Sequence, residues 1–346
     1  MKLRQEILGK VKRLVIKLGT GLLTDERKRL SPERIAALAA QVAALHRQGR
    51  QCVLVSSGAI AAGMGVLGFE KRPRLLSELQ AAAAVGQGKL MAFYDEAFGR
   101  IGRHVAQVLL THEDLQARAR HLNARRTLET LLARGVIPII NENDTVAVEE
   151  IKFGDNDRLG ALAATLIDAD LLIILSHVAG LLDRDRRVIG VVPAITRDIE
   201  ALAGGTDRAT SVGGMTSKLA AGKIVARAGV PMLIADGGRP GVLAELLAGE
   251  PLGTLFLPRG GRLEDRKRWI AFFKKPTGVL VIDDGARRAL RDGGKSLLAP
   301  GIVRREGSVA PGGVVSIHDL AGVELARGLL RATTGVVVHR DDLVIL

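Results

Sequence analysis

Residues 135 to 167 read GVIPIINENDTVAVEEIKFGDNDRLGALAATLI, and how this stretch is parsed decides the fold. The run GVIPIIN (135–141) is apolar and short, the length of a buried strand rather than of a helix. From residue 157 the sequence DRLGALAATLI instead spaces its apolar side chains at a helical period. Between the two lies a polar loop, and residues 139 to 157 carry six carboxylates and three asparagines in a chain whose formal net charge is +13. Strand, polar loop and helix in that order describe one unit of an α/β sheet.

The same order recurs outward in both directions. Strand-like runs stand at RLVIKLG (13–19), QCVLVSSG (51–58), HVAQVLL (104–110), DLLIILS (170–176) and GVPMLIAD (229–236). Helix-period segments alternate with them at 31–49, 76–98, 122–135 and 216–229. Ser31 followed by Pro32 makes a sound helix start, and Gly49, Gly135 and Gly229 suit helix ends. The alternation predicts a three-layer α/β/α sandwich with a mostly parallel sheet. Beyond residue 258 short apolar runs separated by Gly-rich turns predict a second, β-rich domain. The expected division is 1–258, a linker at 259–274, and a small domain at 275–346.

Composition narrows the class. With 346 residues and 47% hydrophobic content the chain can bury a large core. Its single cysteine, Cys52, excludes an internal disulfide, suits a reducing compartment and sits in an apolar run that predicts a buried thiol. There is no long apolar stretch for a membrane span and no signal-like N-terminus, so a cytoplasmic protein is expected. The excess positive charge is +7 over residues 1–258 and +6 over the much shorter 259–346. That balance fits nucleic acid, an anionic surface or small anions, but at 3% aromatics stacking platforms for single strands are sparse.

In open parallel sheets ligands sit beyond the carboxyl ends of the strands. The first strand carries Lys17 and runs into Gly19-Thr20-Gly21, small residues that admit a phosphate to the backbone amides. A dinucleotide fingerprint would need glycine where Thr24 stands. The second strand ends in SSGAIAAGMG: Gly58 and Gly63 have P-loop spacing, but Met64-Gly65 replaces the required Lys-Ser or Lys-Thr. What remains is an anion-accepting turn at Ser57 and Gly58. GGMTSK (213–218) again sets glycines and hydroxyls ahead of a helix that carries Lys218.

The acidic loop has neither the EF-hand order of ligands nor the Cys and His of a zinc site, and no metal ligands are assigned. Asp155 reads as a helix cap, while Asp144, Asn156 and Asp157 share the sheet edge with the glycine turns and read as ligand-recognition residues. The histidines lack an evident nucleophile partner and read as structural.

Taken together, VIKLGTGLLT, VSSGAIAAGM, AAVGQGKL, IPIINENDTVA, IKFGDNDRLGALAA and GGMTSKLAAGKIVARAGV resemble the glutamate 5-kinase branch of the amino acid kinase family. The tail, from GVLVIDDGARRAL to PGGVVSI, is similar to a PUA domain, although it looks shortened before VVVHRDD. The resemblance implies the amino acid kinase fold and transfer of the γ-phosphoryl group of ATP to the γ-carboxylate of L-glutamate, with Mg²⁺, as the first step of proline synthesis.

By the same resemblance Lys17 and Lys218 meet the phosphates and transferred group, and Asp157 orients both lysines. Ser57, Gly58, Asp144 and Asn156 would bind glutamate. The nucleotide would contact Lys17, Gly19, Thr20, Ser176, His177, Val212, Gly213, Gly214, Met215, Thr216, Ser217 and Lys218. Proline as a feedback inhibitor, RNA at the PUA-like segment and a homo-oligomer are further expectations. Ser176-His177 stands where the family carries Thr-Asp, and Leu182 where it carries Tyr, which predicts altered adenine or ribose contacts. Acetylglutamate and carbamate kinases are rival readings within the family. From another class comes an RNA-binding or regulatory homologue with impaired nucleotide binding.

Overall fold

The computed structural model describes residues 2–27, 29–147, 156–203, 214–261 and 263–346. They fall into two compact units. The first comprises 1–111 and 122–261, and the second 112–121 and 262–346.

The first unit is built on an eight-stranded sheet. Its strands are β1 (Arg13–Leu18), β2 (Gln51–Val55), β3 (Val105–Leu110), β4 (Ile137–Glu142), β5 (Leu171–Ser176), β6 (Val191–Val192), β7 (Met232–Asp236) and β8 (Thr254–Phe256). Their order is β3-β4-β2-β1-β5-β7-β8-β6. Every pairing from β3 through β7 is parallel, while β8 pairs antiparallel with β7 and β6 runs parallel to β8. The central strands are covered on both faces, which is why they read as continuous apolar runs rather than alternating ones: all six residues of β5 are buried. One core cluster joins Leu14, Ile16, Cys52, Leu54, Ile139 and Ile173 with Leu38, Leu90 and Tyr94 from helices. The Cys52 thiol is fully buried, and that burial pushes its pKa up to about 12.

Helix boundaries follow local chemistry. Ser31 Oγ accepts the amide of Arg34 at 3.2 Å and Pro32 opens the helix Pro32–Arg47. Gly49, Gly135 and Gly229 end helices with φ of +79°, +71° and +79°, a conformation that costs other residues energy. Gly63, at P-loop spacing from Gly58, has a packing duty instead. It lies in the helix Ala59–Val66, where an added Cβ would stand 1.8 Å from Ala82 O; at Gly86, in the facing helix Leu76–Gly99, one would stand 1.7 Å from Ala59 O. The two backbones touch because neither position has a side chain.

The second unit contains a six-stranded sheet of β9 (Gly278–Ile282), β10 (Leu297–Leu298), β11 (Ile302–Gly307), β12 (Val314–His318), β13 (Glu324–Leu330) and β14 (Val336–Ile345). Their order is β10-β14-β13-β12-β9-β11, and only β9 and β12 pair in parallel. A separate core of Leu280, Ile282, Leu290, Val315, Ile317, Val337 and Val338 closes it. Each of the six strands pairs with at least one neighbour, including those on either side of the segment expected to be shortened. Residues 259 to 274, read from the sequence as a linker, include a helical turn at Asp265–Arg268 and a π-helical turn at Trp269–Phe273 whose Trp269, Ile270 and Phe273 are buried. Within this unit His121 meets the Phe273 ring edge-on at 4.5 Å and the Arg118 guanidinium lies 5.5 Å from the Trp269 ring. No helix of the described residues is long and apolar enough to cross a membrane.

Candidate active site

Parallel strands deliver their carboxyl ends to one edge, and backbone bonds beyond the strand ends hold the loops together there. The Ser56 amide donates to Ile140 O at 2.9 Å and the Asn143 amide to Leu110 O at 3.1 Å. The Gly19 amide donates to Leu175 O at 3.2 Å, and the Gly237 amide to Ser176 O at 2.8 Å. Gly19 also packs closely on β5, since a Cβ there would lie 3.5 Å from Leu175 O.

Above this edge stands the N-terminus of the helix Asn156–Leu166, ten of whose eleven residues are buried. Gly160 lets it settle on β1, because a Cβ there would approach Lys17 Cβ to 3.3 Å. The helix therefore places Asp157, fully buried, directly over the Lys17 side chain. Lys17 Nζ is 2.6 Å from Asp157 Oδ1, and Lys218 Nζ donates to Asp157 Oδ2 at 3.0 Å. Ser217 Oγ donates to the same Oδ2 at 2.8 Å. Burial alone would raise the Asp157 pKa, but the charges of Lys17 and Lys218, with hydrogen bonds from Lys17 and Ser217, outweigh it and hold the carboxyl below its ordinary value. The result is two buried ammonium groups around one carboxylate, a local excess of positive charge at two helix N-termini.

Beside it lies a chain of amides. Asn156 Nδ2 donates to Ser56 O at 2.6 Å and lies 2.9 Å from Ser57 Oγ and 3.0 Å from Asn141 Oδ1. Asn141 Nδ2 donates in turn to Gln87 Oε1 at 2.9 Å. Ser56 Oγ shares a 2.9 Å bond with the buried Tyr94 hydroxyl. Gly58, at φ +106°, caps the helix Ala59–Val66 without a side-chain cap bond. In the turn after β4, burial pushes the Asp144 carboxyl up to about 6, against the opposing charge of Arg72. No hydrogen bond joins Asp144 to Asn156 or Ser57 among the described residues.

Thr20 is exposed in the helical turn Thr20–Leu23. Ser176 is buried at the end of β5, while His177 is exposed with Nδ1 3.8 Å from the position of a Gly21 Cβ. Gly214 caps the helix Met215–Arg227, whose first turn holds Met215, Thr216, Ser217 and Lys218. Val212 and Gly213, expected at the nucleotide, and Asp155, expected as a cap, lie outside the described residues. Among the described residues no cluster of three or more His, Cys, Asp or Glu could hold a metal ion, and Asp157 is committed to its lysines.

Two buried lysines sharing one carboxylate thus stand at helix N-termini beside a chain of buried amides. Comparison with known sequences decides the lineage: the sequence model of the amino acid kinase family matches residues 12–236. The chain belongs to the amino acid kinase family.

Further relatives of this amino acid kinase agree over its whole length. Glutamate 5-kinases of Geobacter metallireducens and Geobacter sulfurreducens are each 47% identical over 373 residues, covering 99% of this chain and 100% of the relative. That of Moorella thermoacetica is 44% identical over 368 residues, covering 98% of this chain and 97% of its own. A PUA domain model matches residues 278–340. Among solved structures, carbamate kinase from Giardia lamblia bound to AMP-PNP superposes with a TM-score of 0.53 at 17% identity, over 72% of this chain and 99% of that one. UMP kinase from Bacillus anthracis gives 0.50 at 17%, over 72% and 97%. At such identity these two report the fold alone.

Sequence reasoning missed Gln87, Tyr94 and Ser56, and gave Asn141 no role. Gln87 and Tyr94 lie on the long helix Leu76–Gly99, far in sequence from every strand end they serve. The only local signal is a glutamine set between glycines 86 and 88 in an otherwise apolar helix face.

Proposed function

We propose that this amino acid kinase transfers the γ-phosphoryl group of ATP to the γ-carboxylate of L-glutamate, yielding L-glutamyl 5-phosphate and ADP, the reaction that opens proline synthesis. The carrying observation is the Lys17–Asp157–Lys218 bridge, with 2.6 Å and 3.0 Å contacts, beside the Asn156–Ser57 pair.

The glutamate γ-carboxylate, with an ordinary pKa near ~4, is ionised at neutral pH and needs no base. Its oxygen attacks the γ-phosphorus, a new P–O bond forms, and the bond to the β-phosphate oxygen breaks with its electron pair leaving on ADP. The work of the site is to bring anions together in line and to meet charge developing on the moving group. Lys17 and Lys218 are suited to it because Asp157 fixes both ammonium groups before the substrates arrive. Each such preorganised donor is worth roughly 3 kcal/mol of barrier.

In this reading ATP lies along Gly19 and Thr20, Ser176 and His177, and the loop and helix start holding Val212, Gly213, Gly214, Met215, Thr216 and Ser217. Glutamate lies against Ser57, Gly58, Asn156 and Asp144, where an ionised Asp144 pairs with the α-ammonium and so separates an amino acid from a plain dicarboxylate. Magnesium ions commonly come held by phosphate oxygens and one or two carboxylates. The described residues offer no cage of their own, so the ion would enter on the nucleotide, and its charge would add to that of the lysines.

Incubation with ATP, Mg²⁺ and L-glutamate, with hydroxylamine to trap the acyl phosphate, tests the reading. Hydroxamate that depends on glutamate is expected. A yield equal to the no-glutamate control would overturn it.

A further inference from the structure

The chain of amides beside Asn156 has its direction fixed by the backbone. An amide side chain's oxygen and nitrogen are told apart by their partners, and here two partners are unambiguous. The Glu142 backbone N–H donates to Asn141 at 2.9 Å, so that atom is Asn141 Oδ1. The Ser56 carbonyl accepts from Asn156 at 2.6 Å, so that atom is Asn156 Nδ2. Asn141 Oδ1 then accepts from Asn156 Nδ2, and Asn141 Nδ2 must find an acceptor on its other side. That acceptor is Gln87 Oε1 at 2.9 Å. Gln87 is only 9% exposed and Asn141 2%, so water is a poor substitute. With both hydrogens of Asn156 Nδ2 drawn toward these oxygens, its Oδ1 is the end of the amide that takes no part in the chain.

We infer that Gln87 is a positioning residue for glutamate binding: by accepting from Asn141 it locks Asn141, and through it the Asn156 amide, with Asn156 Oδ1 presented as a hydrogen-bond acceptor. An acceptor there suits an α-ammonium and repels a carboxylate. Losing the Gln87 oxygen leaves the buried Asn141 N–H without a partner, and turning Asn141 to relieve it would withdraw Oδ1 from both Asn156 and Glu142. Gln87 Nε2, by contrast, is buried without a hydrogen-bond partner among the described residues, so the oxygen is the half of this amide that the network uses.

The inference rests on the glutamate reading of the site, and two variants separate the two. Gln87→Met keeps the length of the side chain and removes the acceptor. Gln87→Glu keeps an acceptor oxygen whether or not it is protonated. With wild-type protein as the reference in the hydroxamate assay, Gln87→Met should raise the KM for L-glutamate about tenfold or more and leave the KM for ATP within about twofold. Gln87→Glu should recover most of that loss. A Gln87→Met enzyme with wild-type KM for glutamate would overturn the positioning role, as would equal losses toward both substrates or a Gln87→Glu variant as impaired as Gln87→Met. Should Gln87→Glu fail to fold, the substrate split in Gln87→Met still decides. If the wild type itself forms no glutamate-dependent hydroxamate, the functional reading fails first. The lock is then judged on soluble protein by exchange of the Glu142 amide hydrogen, which Gln87→Met should accelerate and which unchanged protection would refute.

Discussion

Lys17 and Lys218 come from opposite ends of the first unit and share one carboxylate, each ammonium taking a different oxygen of Asp157. Neither lysine is more than 7% exposed, so water screens little of the charge that each sets against that carboxylate. Asp157→Asn removes the counter-charge from both at once. We expect a loss of about 3–5 kcal/mol in stability and a fall in kcat of about 10²-fold or more. The sign with pH follows from a folded pKa held below the unfolded one. The stabilisation is complete above the ordinary carboxylate range and is lost as pH falls below about 4. Thermal melts of wild type and Asp157→Asn from pH 7 downward should converge at the acid end; parallel curves would contradict the linkage.

In the proposed reaction the ammonium groups meet the transferring phosphoryl group, so Lys17→Met and Lys218→Met should each lower kcat about 10²-fold or more while the KM for glutamate changes little. Lysine to arginine should not restore the rate at position 218. Its Nζ occupies a buried point contact at 3.0 Å, and a planar guanidinium needs more room and more acceptors. Steady-state kinetics with both substrates varied checks this.

Asp144 behaves oppositely to Asp157. Its carboxyl is raised from 3.8 to about 6 by burial, so the folded chain binds a proton that the unfolded chain has released. Stability from this group is present at low pH and declines as pH rises from about 4 to about 6. Asp144→Asn should therefore melt higher than wild type at pH 7.5, by about 1–2 kcal/mol after allowance for partial exposure, while losing glutamate affinity. In the wild type the KM for glutamate should climb as pH drops below about 6, and Asp144→Asn should flatten that profile.

Gly86→Ala would drive a methyl group into Ala59 O at 1.7 Å, backbone against backbone. The helix Ala59–Val66 would have to move, carrying the Gly58 turn with it. A cost of about 1–3 kcal/mol and a raised KM for glutamate are expected. Gly65→Ala, in the same helix but with open space around it, should be nearly neutral by melting and kinetics.

The sheet, the helix caps and the glycine turns were legible because each leaves a signal within a few residues: β5 is an unbroken apolar run, and Ser31-Pro32 starts a helix where it stands. Lys17 was legible on its strand, and Asp157 and Lys218 at helix starts near strand ends, but their common bond is tertiary and left no local trace. Gln87 and Asn141 were invisible for the same reason, their partnership spanning two elements. The strand β11, with Arg304 and Arg305 exposed in its middle, carries no apolar run and so leaves no strand signal of its own in the sequence.

The second unit claims residues 112–121 from the middle of the chain, where the helix His112–Gln116 packs on the turn Trp269–Phe273. That fold unit is thus threaded by the polypeptide twice. A chain truncated near residue 261 would not be a kinase half with a clean border. It would keep a ten-residue peptide that had lost the aromatic surface covering His121 and Arg118. The border of the second unit is therefore written at two places in the sequence, and a substitution at His121 or Arg118 bears on the packing of Phe273 and Trp269 more than 140 residues away.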